Sequence, residues 1–210
     1  MIATLENDRS PRNPKPGIAE EECVVTDAVD PRERVVRAAD QLFNAHGVHA
    51  VGMDKVRDAA GVSLKKIYAM FPSKEALILA VLDDRTRQWN AGIAACADGL
   101  SSPRDKLLAV FDFLLEWFGT DEFRGCAFIN AYGELGAEMP SVASAVRAQK
   151  ADFQQYVAGL VAELGAPGGL GAQLSILAEG AQTTAAIAGS VRPADDARAA
   201  AEVLIDQALR

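Results

Sequence analysis

Residues 61 to 77 read GVSLKKIYAMFPSKEAL. Leu64, Ile67 and Phe71 recur at i, i+3 and i+7, which is one face of a short helix. Lys65, Lys66, Tyr68 and Ala69 fall on the opposite face. Gly61 permits a tight turn before the helix and Ser63 can cap its first amides. Pro72 stops it, and Ser73 can cap another helix that opens with Lys74. The chain carries a formal net charge of −8. Two outward lysines on a short, well-anchored helix of such a chain are what a surface meeting a polyanion needs.

Working toward the N-terminus, a second helix is predicted from Met53 to Ala60, with Val56, Ala59 and Ala60 inward. Before it, Asp30 can cap a helix whose first residue is Pro31 and whose third is Glu33. Val35, Ala39, Leu42 and Phe43 form its apolar face, and Gly47 ends it. Residues 1–30 hold three Lys/Arg against seven Asp/Glu and the stretch PRNPKPG. They read as a flexible tail, with Arg9, Arg12 and Lys15 as an alternative arm for a DNA minor groove. Residues 31–75 hold eight Lys/Arg against five Asp/Glu, while residues 76–210 hold ten against seventeen. The basic excess is therefore confined to the segment containing the three short helices.

Toward the C-terminus, the fourth helix runs from Lys74 to about Ala97. Ser102-Pro103 opens a fifth, to about Phe118. A sixth is expected from Arg124 to Gly136, a seventh from Pro140 to about Leu164, and an eighth from Leu170 to Ser190, closed by Arg192-Pro193. The last runs from Ala194 onward. No segment alternates as a half-buried strand would. The expectation is an all-α chain of about nine helices. It comprises a tail at 1–30, a three-helix helix-turn-helix domain at 31–75, and a helical ligand-binding and dimerisation domain at 76–210.

The ordered pieces AADQLFNAHG, MDKVRDAAGVS and IYAMFPSKEALILAV, between Arg34 and Leu82, resemble the DNA-binding domain of the tetracycline-repressor (TetR) family. RGCAFINAYGEL, at 124–135, resembles a segment of some of its ligand-binding domains. The resemblance implies an all-α, homodimeric repressor released from a double-stranded DNA operator by a small-molecule effector. It implies DNA contacts from Ser63, Lys65, Lys66, Tyr68, Ala69 and Lys74, with Tyr68 and Lys74 on phosphate. The sequence departs from the pattern at Gly52, where a hydroxyl residue is usual, and at Lys65 and Lys66, where glycine and threonine are frequent. These changes bear on which operator is read.

Aromatic residues beside amides between 85 and 190 suggest a small-molecule site, with Trp89, Phe113, Trp117, Asn130, Phe153 and Gln182 as candidates. The eighth helix is apolar on two sides. One row is Leu170, Leu174, Leu177, Ala181, Thr184 and Ala188, and the other is Ile176, Gly180, Thr183 and Ile187. The final helix repeats the pattern through Ala197, Ala201, Leu204 and Ala208. Leu174, Ala181, Ile187, Ala201 and Leu204 are the interface candidates for a four-helix bundle between two copies, with burial inside one subunit as the alternative.

Three scattered cysteines fit a reducing, cytoplasmic setting, and Cys126 reads as a small buried apolar residue rather than a nucleophile. His46 and His49 flank Gly47 and form no helical metal pair. No metal, cofactor, membrane-spanning or signal segment is expected. No nucleophile elbow or phosphate loop supports an enzyme. The competing readings are an enzyme on a hydrophobic substrate, or a dimeric ligand-binding protein whose helix-turn-helix does not touch DNA.

Overall fold

The computed structural model describes residues 30–210. Among them are nine helices: α1 Pro31–His46, α2 Met53–Ala60, α3 Leu64–Met70, α4 Lys74–Ala97, α5 Pro103–Phe118, α6 Ala127–Leu135, α7 Pro140–Glu163, α8 Gly169–Ala188 and α9 Arg192–Ala208. The expected N-terminal tail and its basic arm lie outside the described residues, apart from Asp30. The caps are where the sequence puts them. Asp30 Oδ1 accepts from the Arg32 amide at 3.1 Å, and Ser73 Oγ accepts from the Ala76 amide at 3.1 Å.

Boundaries differ from expectation at two places. The sixth helix begins at Ala127 rather than Arg124, because Gly125 takes φ +91°, a left-handed conformation that interrupts a helix. Arg192-Pro193 opens α9 instead of closing α8. Gly189, at φ +60°, ends α8, and Pro193 occupies the first turn of α9, where its missing N–H is harmless. Ala59, expected inward, is exposed, while Val56 and Ala60 are buried.

The buried side chains form two cores. The first gathers Val35, Ala39 and Phe43 of α1, Val56 of α2, Ile67 of α3 and Leu77, Ile78 and Val81 of α4. It does not stop at the three short helices. Phe128, Ala131 and Leu135 of α6, with Val142 and Val146 of α7, close over it. The second core packs Trp89 and Ile93 of α4 and Leu107, Phe111 and Leu114 of α5 against Phe153 and Val157 of α7. Leu174, Ala178 and Ala181 of α8 and Ala201 and Ile205 of α9 complete it. Helix α4 thus belongs to both cores, and its 24 residues span about 36 Å at about 1.5 Å each.

Ile67 is the one fully buried residue of α3. Ile67→Ala is expected to cost about 2–5 kcal/mol, read as a lower urea midpoint for loss of helical circular dichroism. An unchanged midpoint would show that α3 is held by something other than this side chain.

Candidate functional site

The turn between α2 and α3 is built from backbone and one arginine. Gly61 adopts φ +62° and donates its N–H to the Arg57 carbonyl at 2.9 Å, closing α2. Arg34 reaches over from α1 and donates an Nη to the carbonyls of Ala60 and Gly61, each at 2.9 Å. The orphan carbonyls at the end of α2 are thereby satisfied by a charged donor, which fixes α2 on α1. Val62, Ile67 and Phe71 are buried beneath α3, and Ser63 Oγ accepts from the Lys66 amide at 3.4 Å. Ser63, Lys65, Lys66 and Ala69 are exposed, and Tyr68 is 46% exposed. On α2, Arg57 pairs with Asp54 and Asp58, so that helix largely neutralises its own charge. Gly52 heads α2 with no side-chain cap, consistent with the hydroxyl missing at that position.

Lys74 stands differently from its neighbours. Its ammonium donates to the Val48 carbonyl at 2.6 Å. Burial holds its pKa below the ordinary lysine value, and the nearby Glu134 carboxylate opposes that shift. One of its three donors is therefore committed to the turn between α1 and α2. The same turn is gripped from α6. Glu134 Oε2 accepts from the Val48 amide at 2.8 Å and from the His49 amide at 3.2 Å, and the His49 ring lies 3.1 Å from the Glu134 carbonyl. Farther along, Arg85 Nε donates to Asp40 of α1 at 2.6 Å, and Asn44 donates to the Glu122 carbonyl at 2.7 Å. Burial raises the Asp40 pKa above the usual carboxylate value, with Arg85 pulling it down.

Deeper in the chain is a cavity of about 230 Å³ walled by Trp89, Phe113, Trp117 and Phe128. Three of the six expected ligand residues, Trp89, Phe113 and Trp117, line it. Phe153 sits behind Trp89, edge-on at 5.4 Å between ring centroids, and faces a neighbouring cleft. Asn130 is elsewhere, donating to the Arg124 carbonyl at 3.3 Å. Gln182 is sealed inside the packing of α8, with Nε2 on the Ala178 carbonyl. The polar lining comes instead from Arg85, Gln88, Gln149 and Lys150, none of which sequence reasoning selected. Lys150 Nζ lies 3.4 Å from Cys126 Sγ, so Cys126 is buried but has a charged neighbour. Phe113 lies so close to the α4 backbone at Gly92 that a Cβ there would stand 2.2 Å from the ring.

Residues 35–81 match the family model described as bacterial regulatory proteins, tetR family. A solved TetR transcriptional regulator from Streptomyces avermitilis is 30% identical and superposes with a TM-score of 0.73, covering 85% of this chain and 97% of that one. The chain belongs to the TetR family. A TetR-family regulator from Streptomyces coelicolor, 28% identical, gives a TM-score of 0.81 over 86% of this chain and 96% of its own. Among curated relatives, the HTH-type transcriptional activator FasR of Mycolicibacterium smegmatis is 36% identical over 87 residues, 40% of each chain. An HTH-type regulator of Mycobacterium tuberculosis is 26% identical over 121 residues, 58% of this chain and 60% of that one. The matches to these two curated relatives thus span 40–60% of their length. The family is one of DNA-binding transcriptional regulators, and no helix among the described residues is long and apolar enough to cross a membrane.

In this TetR-family regulator the first apolar row of α8 is covered only as far as Ala181, while Thr184 and Ala188 lie in solvent with the second row. Leu174, Ala181 and Ala201, selected from sequence as interface residues, are closed into the subunit's own second core. Leu204 is half-buried against that core, and Ile187 is 84% exposed. Periodicity identifies a two-sided helix without saying which side the subunit keeps. The outer face of α8 carries Ile176, at 71% exposure, with Gly180, Thr183 and Ile187, and on α9 Val203 is 64% exposed.

The junction makes a prediction of its own. Glu134→Ala leaves the Val48 and His49 amides without their acceptor, at a cost of about 1–3 kcal/mol. Hydrogen exchange at those two amides should accelerate in the variant while amides in α9 keep their rates. Equal protection in variant and parent would remove Glu134 from its anchoring role.

Proposed function

We propose that the protein is a homodimeric, ligand-responsive transcriptional repressor that reads a near-palindromic operator through α3. The observation that carries this reading is the two-sidedness of α3: Ile67 is fully buried while Ser63, Lys65, Lys66, Tyr68 and Ala69 face solvent. A recognition helix needs that arrangement, one side fixed to the domain and the other free for a major groove. Lys65 and Lys66 supply charge toward phosphates and base edges, and lysine can read guanine O6 and N7. Tyr68 adds a hydroxyl donor. Lys74 retains two donors for phosphate beyond the one held by Val48. An operator covered by such a dimer is closed to polymerase, and the cavity beside α4 offers a small molecule a place from which to alter that state.

A salt titration on a selected operator tests the DNA face. Lys65→Ala and Lys66→Ala should each lower the slope of log affinity against log salt by about 0.9 for every phosphate the lysine had neutralised, doubled in a dimer. Lys66→Ala should also change preference among operator bases, whereas Tyr68→Phe should weaken binding uniformly. Unchanged slopes for both lysine variants would reduce them to a solvated helix face.

The dimer reading rests on Ile176 and Ile187 of α8 and Val203 of α9, large apolar side chains left in water on two helices that pack together. The pairing is self-complementary, since a second copy presents the same face. Ile187→Glu should yield folded monomers in equilibrium sedimentation at concentrations where the parent is dimeric. Ala181→Glu should instead unfold the subunit, because the charge would enter its core. A monomeric parent would end this reading of the outer face.

A further inference from the structure

Resting on the ligand-responsive reading above, we infer that the cavity between α4, α5, α6 and α7 is built for a small aromatic acid. Its carboxylate would be taken by Lys150 and Arg85, and its ring by Trp89, Phe113 and Trp117. The charge of the lining points this way. Arg85 and Lys150 are its two ionised groups, and no carboxylate is among the lining residues, in a chain whose net charge is −8. Both cations keep donors in hand. Arg85 gives only Nε to Asp40, and among the described residues its two Nη groups have no hydrogen-bond partner. Lys150 has the Cys126 sulfur at 3.4 Å, a weak acceptor, and forms an ion pair with the largely buried Glu179 carboxylate outside the lining at 3.7 Å, too long to engage one of its N–H donors. A carboxylate is the group that two such partly desolvated cations lining one cavity recognise.

Gln149 adds a second requirement. It lines the same cavity, is only 5% exposed, and its Oε1 has no hydrogen-bond partner. A buried acceptor left unpaired favours a ligand that also carries a hydroxyl or N–H. The volume of about 230 Å³ admits about eight to eleven non-hydrogen atoms at about 20–30 Å³ each, the size of one ring with short substituents. The lining of Trp and Phe rings suits a flat ring, because edge and face packing both contribute there. Arg85 then gives the ligand a direct line to the DNA-binding unit, since its other partner, Asp40, is on α1.

Both tryptophans of the chain line this cavity, so intrinsic emission reports on it without a label. The full chain would be titrated with 4-hydroxyphenylacetate, its neutral amide and phenylacetate, following Trp emission and, in parallel, retention of a selected operator. The acid should bind at least about tenfold more tightly than the amide, as expected of charge-assisted hydrogen bonds. Lys150→Met should erase that preference while leaving the far-ultraviolet circular dichroism of the parent. Phenylacetate should bind about fivefold more weakly than its hydroxylated form, and Gln149→Leu should remove that difference. Equal binding of acid and amide, a preference that survives Lys150→Met, or no saturable response to either acid at millimolar concentration overturns the assignment of ligand class. Equal binding of acid and amide with release of the operator leaves ligand control standing and removes only the acid. Preferential binding of the acid with operator affinity unchanged supports the assignment and shows that this ligand does not control DNA binding.

Discussion

Two backbone amides, those of Val48 and His49, end on a single carboxylate of α6. Their turn sets the angle between α1 and α2, and through Gly61 it sets the attitude of α3. Left without an acceptor, the part-buried Val48 N–H would cost about 1–3 kcal/mol, whereas that of His49 lies open to water, so it is chiefly Val48 that keeps Glu134 in place. Lys74 holds the intervening Val48 carbonyl from the start of α4. Helices α1, α2, α4 and α6 therefore meet at one short loop, and α3 is only as well placed as that meeting.

The same α6 carries Ala127 and Phe128 at its other end, in the cavity wall. Seven residues, about 10 Å of helix, separate Ala127 from Glu134. A ligand that shifts the first turn of α6 thus acts on a rigid rod whose far end grips the DNA-binding unit. The Arg85–Asp40 pair is a second tie, from the cavity lining straight to α1. Coupling between the two regions requires only that one of these ties be made differently when the cavity is filled.

The DNA-binding unit was legible because its signals are local. Asp30 with Pro31, Gly61 with Ser63, and Pro72 with Ser73 each act within a few residues of where they stand, and all of those boundaries hold. The cavity was only half legible. Trp89, Phe113 and Trp117 stand out by size, but Gln149 and Lys150 look like an ordinary polar stretch of α7 until the fold brings Lys150 to Cys126, 24 residues away in sequence. Asn130 and Gln182 were reasonable choices by residue type, yet the turn after α5 claims one and the packing of α8 the other. For Leu174, Ala181 and Ala201, apolar spacing records that a side is covered, and the cover turns out to be other helices of the same subunit, which share one core with them.

The first core, shared between the three N-terminal helices and α6 with α7, bears on how such regulators diversify. A cassette cut after residue 75 would carry away α1–α3 and leave behind Phe128, Ala131, Leu135 and Val142, the side chains that roof them. Exchange with a relative would bring together two halves of a core whose volumes were never fitted to one another, and mismatched volumes of that kind are destabilising. An exchange that keeps this core whole has to take α6 along, and with α6 go part of the cavity wall and Glu134. Lineages that acquire a new operator preference by swapping should inherit a fragment of the donor's ligand preference as well, whereas those that change it by point substitution on the free side of α3 escape this linkage.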